Sequence, residues 1–216
     1  MNSIDAKNKD LQAINREIRD NLNDHPVKVV NADHLHGLAA GIKHGEIIID
    51  SNTGDYLGVL NDGATIKVSK NVGNYLGDNM TTGTILVEGN GGFGVAQYCY
   101  GGTVVVLGNA GDFTATMNKG AVIIIAGNVG DEAGTYMLDG DLIVLGDAGK
   151  NFANYLIRGD VYIRGEWENL GHNTRIVEMD NRDIEKLNSY FDTYGIEADP
   201  QKFKKIVAAS KKPFYK

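Results

Sequence analysis

Between Gly45 and Gly165 the chain alternates aliphatic and mixed positions in a pattern that returns every nineteen residues. One column reads Ile47, Ile66, Ile85, Val104, Ile123, Leu142, Val161; two residues on, a second reads Ile49, Val68, Val87, Val106, Ile125, Val144, Ile163. The positions before the first column are mixed: Glu46, Thr65, Thr84, Thr103, Val122, Asp141, Asp160. Period-2 alternation with one aliphatic face is the pattern of a half-buried strand. It predicts strands over 46–50, 65–69, 84–88, 103–107, 122–126, 141–145 and 160–164. Between the two buried columns lies a third, Ile48, Leu86, Val105, Ile124, Ile143 and Tyr162, broken by Lys67. It is too apolar for a solvated face, so it should pack on the terminal segments or on a partner subunit.

A tripeptide keeps the same register. Asn52-Thr-Gly54 returns at Asn71, Asn90, Asn109, Asn128 and Asp147, with Gly73, Gly92, Gly111, Gly130 and Gly149 closing each copy. A helix inside so short a repeat needs ten or more periodic residues, and two or three glycines per copy forbid it. The repeat is therefore strand and turn, and its unbroken register is what stacking requires. The fold class is all-β: a single-stranded right-handed parallel β-helix of about seven nineteen-residue coils. At roughly 4.8 Å per coil, six full coils make a prism about 30 Å long.

Stacked asparagines predict a ladder of side-chain amides, each bonded to the next along the axis. The glycine two residues later suits a corner with positive φ. A second small column, Gly58, Gly77, Ala96, Ala115, Gly134 and Ala153, marks a tight corner, and a third, Gly45, Ala64, Gly83, Gly102, Ala121, Gly140 and Gly159, opens each strand. Packing accounts for all of these, so ladder and glycines are structural and no catalytic residue is assigned.

The flanks depart from the repeat. Residues 4–23 carry Leu11, Ile14, Ile18 and Leu22 at helical spacing, and His25-Pro26 ends that helix. Val27 to Val30 is strand-like, and Gly37-Leu38-Ala39 falls in the repeat register, so an imperfect first coil begins near 27. After Gly165 the tripeptide is replaced by Glu166-Trp167-Glu168, with Trp167 placed to plug the last coil. Asp180 caps a helix to about Tyr194, stopped by Gly195, and Asp199-Pro200 starts a second, with Phe203, Ile206 and Val207 as its apolar stripe. The predicted divisions are an N-terminal helix over 1–26, the solenoid over 27–175, and a helical extension with a basic tail over 176–216.

Charge adds one feature. The chain is −7 overall, yet residues 201–216 hold six lysines and no acid. A body this acidic, without a basic groove, argues against nucleic acid as a partner. One cysteine excludes a disulfide framework, an iron–sulfur cluster and a cysteine zinc site. No apolar run reaches eighteen residues and the N-terminus lacks signal-peptide shape, so a membrane partner is not expected and the location should be cytoplasmic.

Candidate chemistry is thin. Gly89-Asn-Gly-Gly-Phe-Gly94 satisfies a dinucleotide fingerprint, but no helix follows and its glycines belong to the repeat columns. Cys99 stands in a packing column with Asn61, Met80, Asn118, Met137 and Leu156 and reads as an inert thiol. His34 and His36, with His44 nearby, lack the further ligands a metal needs. Asp55, Asp112 and Asp131 recur with the coil, which suggests corner hydrogen bonds rather than a glycosidase acid pair. Tyr56, Tyr75 and Phe113 share a column broken by Gly94, Glu132 and Asn151, so no aromatic groove for a sugar is legible.

The repeat G-x-h-h-h-x-G-N-x-G-D, clearest in GTVVVLGNAGDFT at 102–114 and GAVIIIAGNVGDEAGT at 120–135, resembles the glycine-rich GXGXG domain of glutamate synthase. That domain is the C-terminal β-helix of the large subunit, and the resemblance covers about residues 27–170. DPQKFKKIVAASKKPFY at 199–215 is similar to the tail of stand-alone archaeal-type subunits. The resemblance implies a non-catalytic scaffold in a complex that makes glutamate from glutamine and 2-oxoglutarate. Its partners would be a glutamine amidotransferase subunit and a flavin-binding synthase subunit, the latter holding FMN and iron–sulfur centres, with no cofactor on this chain. The C subunit of formylmethanofuran dehydrogenase and a subunit of N-methylglutamate synthase share the pattern and are the related alternatives. A free-standing β-helix carbohydrate enzyme is the alternative of another class.

Overall fold

The computed structural model describes residues 2–22 and 25–210. It is a parallel β-solenoid of about seven turns with two helices. Nine strands follow one another in parallel: β1 (Asn2–Asp5), β2 (Val27–Val30), β3 (Glu46–Ile49), β4 (Asp62–Val68), β5 (Thr82–Val87), β6 (Thr103–Val106), β7 (Lys119–Ile125), β8 (Asp139–Val144) and β9 (Asp160–Ile163). From Ile47↔Ile66 to Leu142↔Val161 the aliphatic columns stand directly opposite one another. Both predicted columns are buried inside the prism. The first coil is one residue longer: Val27 pairs with Ile47, twenty residues on, whereas Ile47 to Ile66 is nineteen. The extra residue falls near Asn31, whose φ is +60°.

Beyond β9 the sheet turns antiparallel. β11 (Lys204–Ala208) inserts between β9 and β10 (Thr174–Val177), and both its neighbours run against it. The segment from Asp199 does not form the second helix expected of it. Asp199 does cap, accepting from the Gln201 N–H at 3.0 Å, and Pro200 stands at the first helical position, but only one 3-10 turn follows (Pro200–Lys202) before the chain extends. The open side of β9 offers backbone bonds to Ile206 and its neighbours, which outweighs a weak helical stripe. At the other end Ile4 lies in β1 and the helix, α1, spans only Leu11–Asn21, capped by Asp10.

α1 closes the first coil. Asn15 donates to Gly37 O at 3.0 Å and accepts from the Ala39 N–H at 2.8 Å, while Arg19 donates to Ala40 O at 2.9 Å. These backbone groups would otherwise seek a coil that does not exist below them. α2 (Asn181–Tyr194) forms as predicted, with an Asp180–Asp183 capping box and Gly195 left-handed at its end. It lies over the outward stripe of the sheet: Leu187 and Phe191 pack with Val105, Ile124, Ile143 and Tyr162, all fully buried. The stripe therefore meets a terminal segment of its own chain over these coils.

Candidate interaction surface

Two polar ladders climb the solenoid side by side. In the first, Oδ1 of each tripeptide residue accepts the backbone N–H of the next: Asn52 from Asn71 at 3.2 Å, Asn71 from Asn90, Asn90 from Asn109 and Asn109 from Asn128 at 2.8 Å, Asn128 from Asp147 at 2.9 Å and Asp147 from Glu166 at 2.8 Å. The expected amide-to-amide bonding is thus replaced by side chain to backbone; a lateral amide contact occurs at Asn90–Asn71, 3.2 Å. An acceptor oxygen suffices, which is why Asp147 continues the column.

The second ladder stands three residues on. Oδ1 of Asp55 accepts from the Asn74 N–H at 2.7 Å, Asn74 from Phe93 at 2.9 Å, Asp112 from Asp131 and Asp131 from Lys150 at 2.8 Å. His36 Nδ1 opens it, accepting from the Asp55 N–H at 3.0 Å. The recurring carboxylates are corner acceptors, as their repetition suggested.

The tripeptide glycines do not have the positive φ foreseen for them. Their reason is proximity. A Cβ on Gly92 would meet Asn74 Oδ1 at 2.5 Å, one on Gly108 would meet Asn90 Oδ1 at 2.5 Å, and Gly130 and Gly149 face Asp112 and Asp131 more tightly still. Each ladder oxygen occupies the place of a Cβ on the residue preceding the N–H it accepts. The chain contains its own control: Lys70 stands where later coils have glycine, and the bond beside it is the longest of the first ladder. The string G-N-x-G-D is a glycine before each ladder residue. In the GNGGFG segment the same crowding applies, and turns rather than a helix follow Gly94, so the phosphate cradle is absent there.

The left-handed residues lie elsewhere. Each coil turns through three alternate positive-φ positions, for example Tyr56 (60°), Gly58 (64°) and Leu60 (58°), repeated at Tyr75, Gly77 and Asn79. The inner position of each set is the small column Gly58, Gly77, Ala96, Ala115, Gly134, Ala153. The outer two line one edge, with side chains that are half-buried or, at Tyr56 and Leu60, exposed.

That edge is aromatic. Tyr56 and Tyr75 stack with centroids 4.7 Å apart, Phe93 meets Tyr75 edge-on at 5.5 Å, and Phe113 lies 5.1 Å from Phe93. Phe93, one residue before Gly94, fills the gap that the column count leaves, so the row is continuous over four coils. Alongside run Tyr98 and Tyr100, with Lys119 Nζ 3.8 Å from the Tyr100 centroid, then Tyr136 and Tyr155, stacked at 5.3 Å. Where rings stack, they turn faces to each other and edges outward, which leaves no platform for a sugar ring. Between the two rows, burial pushes the Asp78 carboxyl above its ordinary value against the opposing bonds from Asn79.

The other candidates are placed apart. His34 bonds Lys9 O at 3.1 Å and His36 belongs to the second ladder, so the two do not share a task. Among the described residues no cluster of three or more His, Cys, Asp or Glu is disposed to hold a metal. Cys99 is buried with its thiol pushed up to about 12 by that burial, and it donates to Gly77 O at 3.2 Å. Trp167 pairs beside Ala148 and packs half-buried on the last coil, with Lys204 Nζ 4.8 Å from its ring.

A second polar constellation, not foreseen, clamps α2. The Tyr162 hydroxyl donates to Asp183 at 2.7 Å; Lys205 bonds Asp183 (2.7 Å) and pairs with Asp160 (3.3 Å); Lys186 bonds Asp141 (2.9 Å) and Asp160 (3.2 Å); the Tyr190 hydroxyl donates to Asp141 at 3.0 Å. Desolvation raises Tyr162 and Tyr190, and the neighbouring carboxylates raise them further. Asp141 and Asp160 sat visibly in the mixed strand column, but the partners that α2 and β11 bring to them come from 26 to 49 residues away. No local signal announces them. Residues 211–216, the end of the predicted basic tail, lie outside the described residues.

The GXGXG motif family matches residues 95–213, more than half of the chain. No curated protein matches it. Among the described residues no helix is long and apolar enough to cross a membrane.

Proposed function

The chain belongs to the GXGXG motif family, that of the C-terminal domain of the glutamate synthase large subunit, and on that premise we propose a scaffold role for it. In this reading it is a non-catalytic component of a glutamate-synthase-type complex that converts glutamine and 2-oxoglutarate to glutamate. It holds together a glutamine amidotransferase subunit and a synthase subunit that carries FMN and iron–sulfur centres. The recurring Asn and Asp side chains, the natural first suspects for chemistry, are bonded to the backbone of the next coil.

The observation that carries the reading is the aromatic edge. Tyr56, Leu60, Phe93 and Tyr100 are 41%, 56%, 37% and 56% exposed, and they share one edge that neither helix covers. A concentration of exposed aromatic and aliphatic side chains on a rigid element is the composition of a protein contact.

Size-exclusion chromatography of the full chain with the amidotransferase and synthase chains tests this. A co-eluting complex is expected, weakened about tenfold or more by Tyr56→Ser with Phe93→Ser, a loss typical of two interface aromatics. The isolated chain is expected to show neither glutaminase nor synthase turnover. Intrinsic turnover, or assembly with subunits of a molybdopterin or tungsten enzyme instead, would overturn the proposal.

A further inference from the structure

Each end strand of the sheet brings an isoleucine into the inner column, and the two differ in cover. Ile4 of β1 is 2% exposed, whereas Ile176 of β10 is 52% exposed. Register places Ile176 in that column: it stands opposite Ile206, which stands opposite Val161, and both of those are fully buried. α1 packs against the β1 end, with Ile14 and Ile18 in the same core as Ile4. Among the described residues no strand lies beyond β10.

The backbone of β10 is open on that side too. The Ala209 N–H donates to Asn173 O at 2.9 Å, which makes theirs a hydrogen-bonded pair. Bonded and unbonded pairs alternate along an antiparallel ladder, so Arg175 and Val177 turn their N–H and C=O towards β11. Thr174 and Ile176 turn theirs outward. A row of such groups is satisfied by another extended strand.

The side chains of β10 suit a copy of the same strand. In an antiparallel pair about a two-fold axis, residues opposite one another lie on the same face. An axis at Arg175 sets two guanidinium groups against each other, and one at Thr174 sets Ile176 against His172. An axis at Ile176 sets isoleucine against isoleucine, Thr174 against Glu178 and Arg175 against Val177. In that register the outward N–H and C=O of each Ile176 bond those of the other. Arg175 then reaches a hollow of about 430 Å³ whose lining includes Val177, Glu178, Met179, Ile184, Phe203 and Lys204. Its stem meets apolar side chains, and its charge meets Glu178, because Lys204 is already paired with Glu166 at 3.1 Å.

We propose that β10 pairs with β10 of a second copy of this chain, about a two-fold axis at Ile176, joining two solenoids end to end in one sheet. The pairing occupies the open strand of both copies and therefore closes. It is independent of the glutamate-synthase reading and leaves the aromatic edge to other subunits.

Sedimentation velocity of the full chain, with an Ile176→Cys crosslink, tests it. The unaltered chain is expected to form a dimer in concentration-dependent exchange with monomer. Under mild oxidation Ile176→Cys is expected to give a linked dimer whose bridge maps to position 176 in both chains. Opposite Cα atoms of a bonded antiparallel pair lie about 5.5 Å apart, within reach of a disulfide, and Cys99 is buried. Ile176→Lys places like charges opposite each other and is expected to weaken the dimer at least about tenfold. Ile176→Leu is expected to keep it, and unchanged amide exchange in the solenoid and α2 shows that both variants remain folded. A chain that stays monomeric at every concentration overturns the proposal. So does a dimer or larger assembly without the bridge at 176, which would place β10 against β1 or another surface, and so does a dimer that Ile176→Lys leaves intact.

Discussion

Oδ1 of Asn109 accepts the backbone N–H of Asn128 at 2.8 Å, one coil away, and in doing so fills the place where Gly127 would carry a Cβ. Only the acceptor is used. Replacing Asn109 by Asp should therefore leave stability within about 0.5 kcal/mol, whereas Leu should cost about 1 kcal/mol, the worth of one hydrogen bond at a partly solvated site. Asn52→Leu should cost less, because the bond it removes is already long at 3.2 Å. Urea midpoints for the three variants check the order, and an Asp cost equal to the Leu cost would show that the amide hydrogens matter.

The first coil has a different dependence. Asn15 reaches out of α1 to both Gly37 O and the Ala39 N–H, so Asn15→Ala removes two bonds at a buried end. A loss of about 2 kcal/mol is expected. Hydrogen exchange should quicken first at Ala39 and its neighbours, and uniform quickening across the sheet would contradict a local cap.

Under α2 the clamp sets a pH window. Burial raises the Asp183 carboxyl, but bonds from Lys205, Tyr162 and the Asp180 N–H outweigh that and hold it below its ordinary value. Its contribution is present above the unfolded pKa, about 3.9, and is lost as pH falls through the folded value. Burial lowers Lys186 and Lys205, but bonds to Asp141, Asp160 and Asp183 leave both raised. Their contribution is complete below about 10.4 and is lost as pH rises through the folded values. After correction for intrinsic exchange, protection of α2 amides should be level from about pH 5 to 9 and fall outside it. A decline across neutrality would mean that another group governs docking.

Ile124 lies fully buried against that helix. Ile124→Glu should release α2 by placing a carboxylate in an apolar seam, at a cost of about 3 kcal/mol or more. Loss of α2 protection with the solenoid amides still protected is the expected outcome. An unchanged α2 would show that the polar clamp alone holds it.

The sequence made the solenoid legible residue by residue because its evidence is repeated: Ile47, Ile66 and Ile85 each confirm the register of the others. The ends repeat nothing. Ile4 sits at helical spacing from Leu11 and Ile14, yet it is the single inward residue of β1, and Ile206 plays the same part in β11. Their strand state comes from the open sides of β2 and β9, which no local pattern encodes. The surface was half legible. The column Tyr56, Tyr75, Phe113 could be counted, but Phe93 joins it from the neighbouring position, a shift visible only once the coils are stacked.

The claim on which the rest depends is that the motif glycines exist to admit ladder oxygens. A double-mutant cycle on Gly92→Ala and Asn74→Ala, read by urea unfolding with the slope checked for constancy, tests it directly. A Cβ at 92 meets Asn74 Oδ1 at 2.5 Å, while the nearest backbone atoms are 3.0 Å away. Gly92→Ala alone should cost about 1 to 3 kcal/mol, as overpacking does. In the Asn74→Ala background it should cost at least about 1 kcal/mol less, the range of coupling for residues in contact. Strict additivity would contradict the account, since the glycine would then be answering to something other than the oxygen beside it.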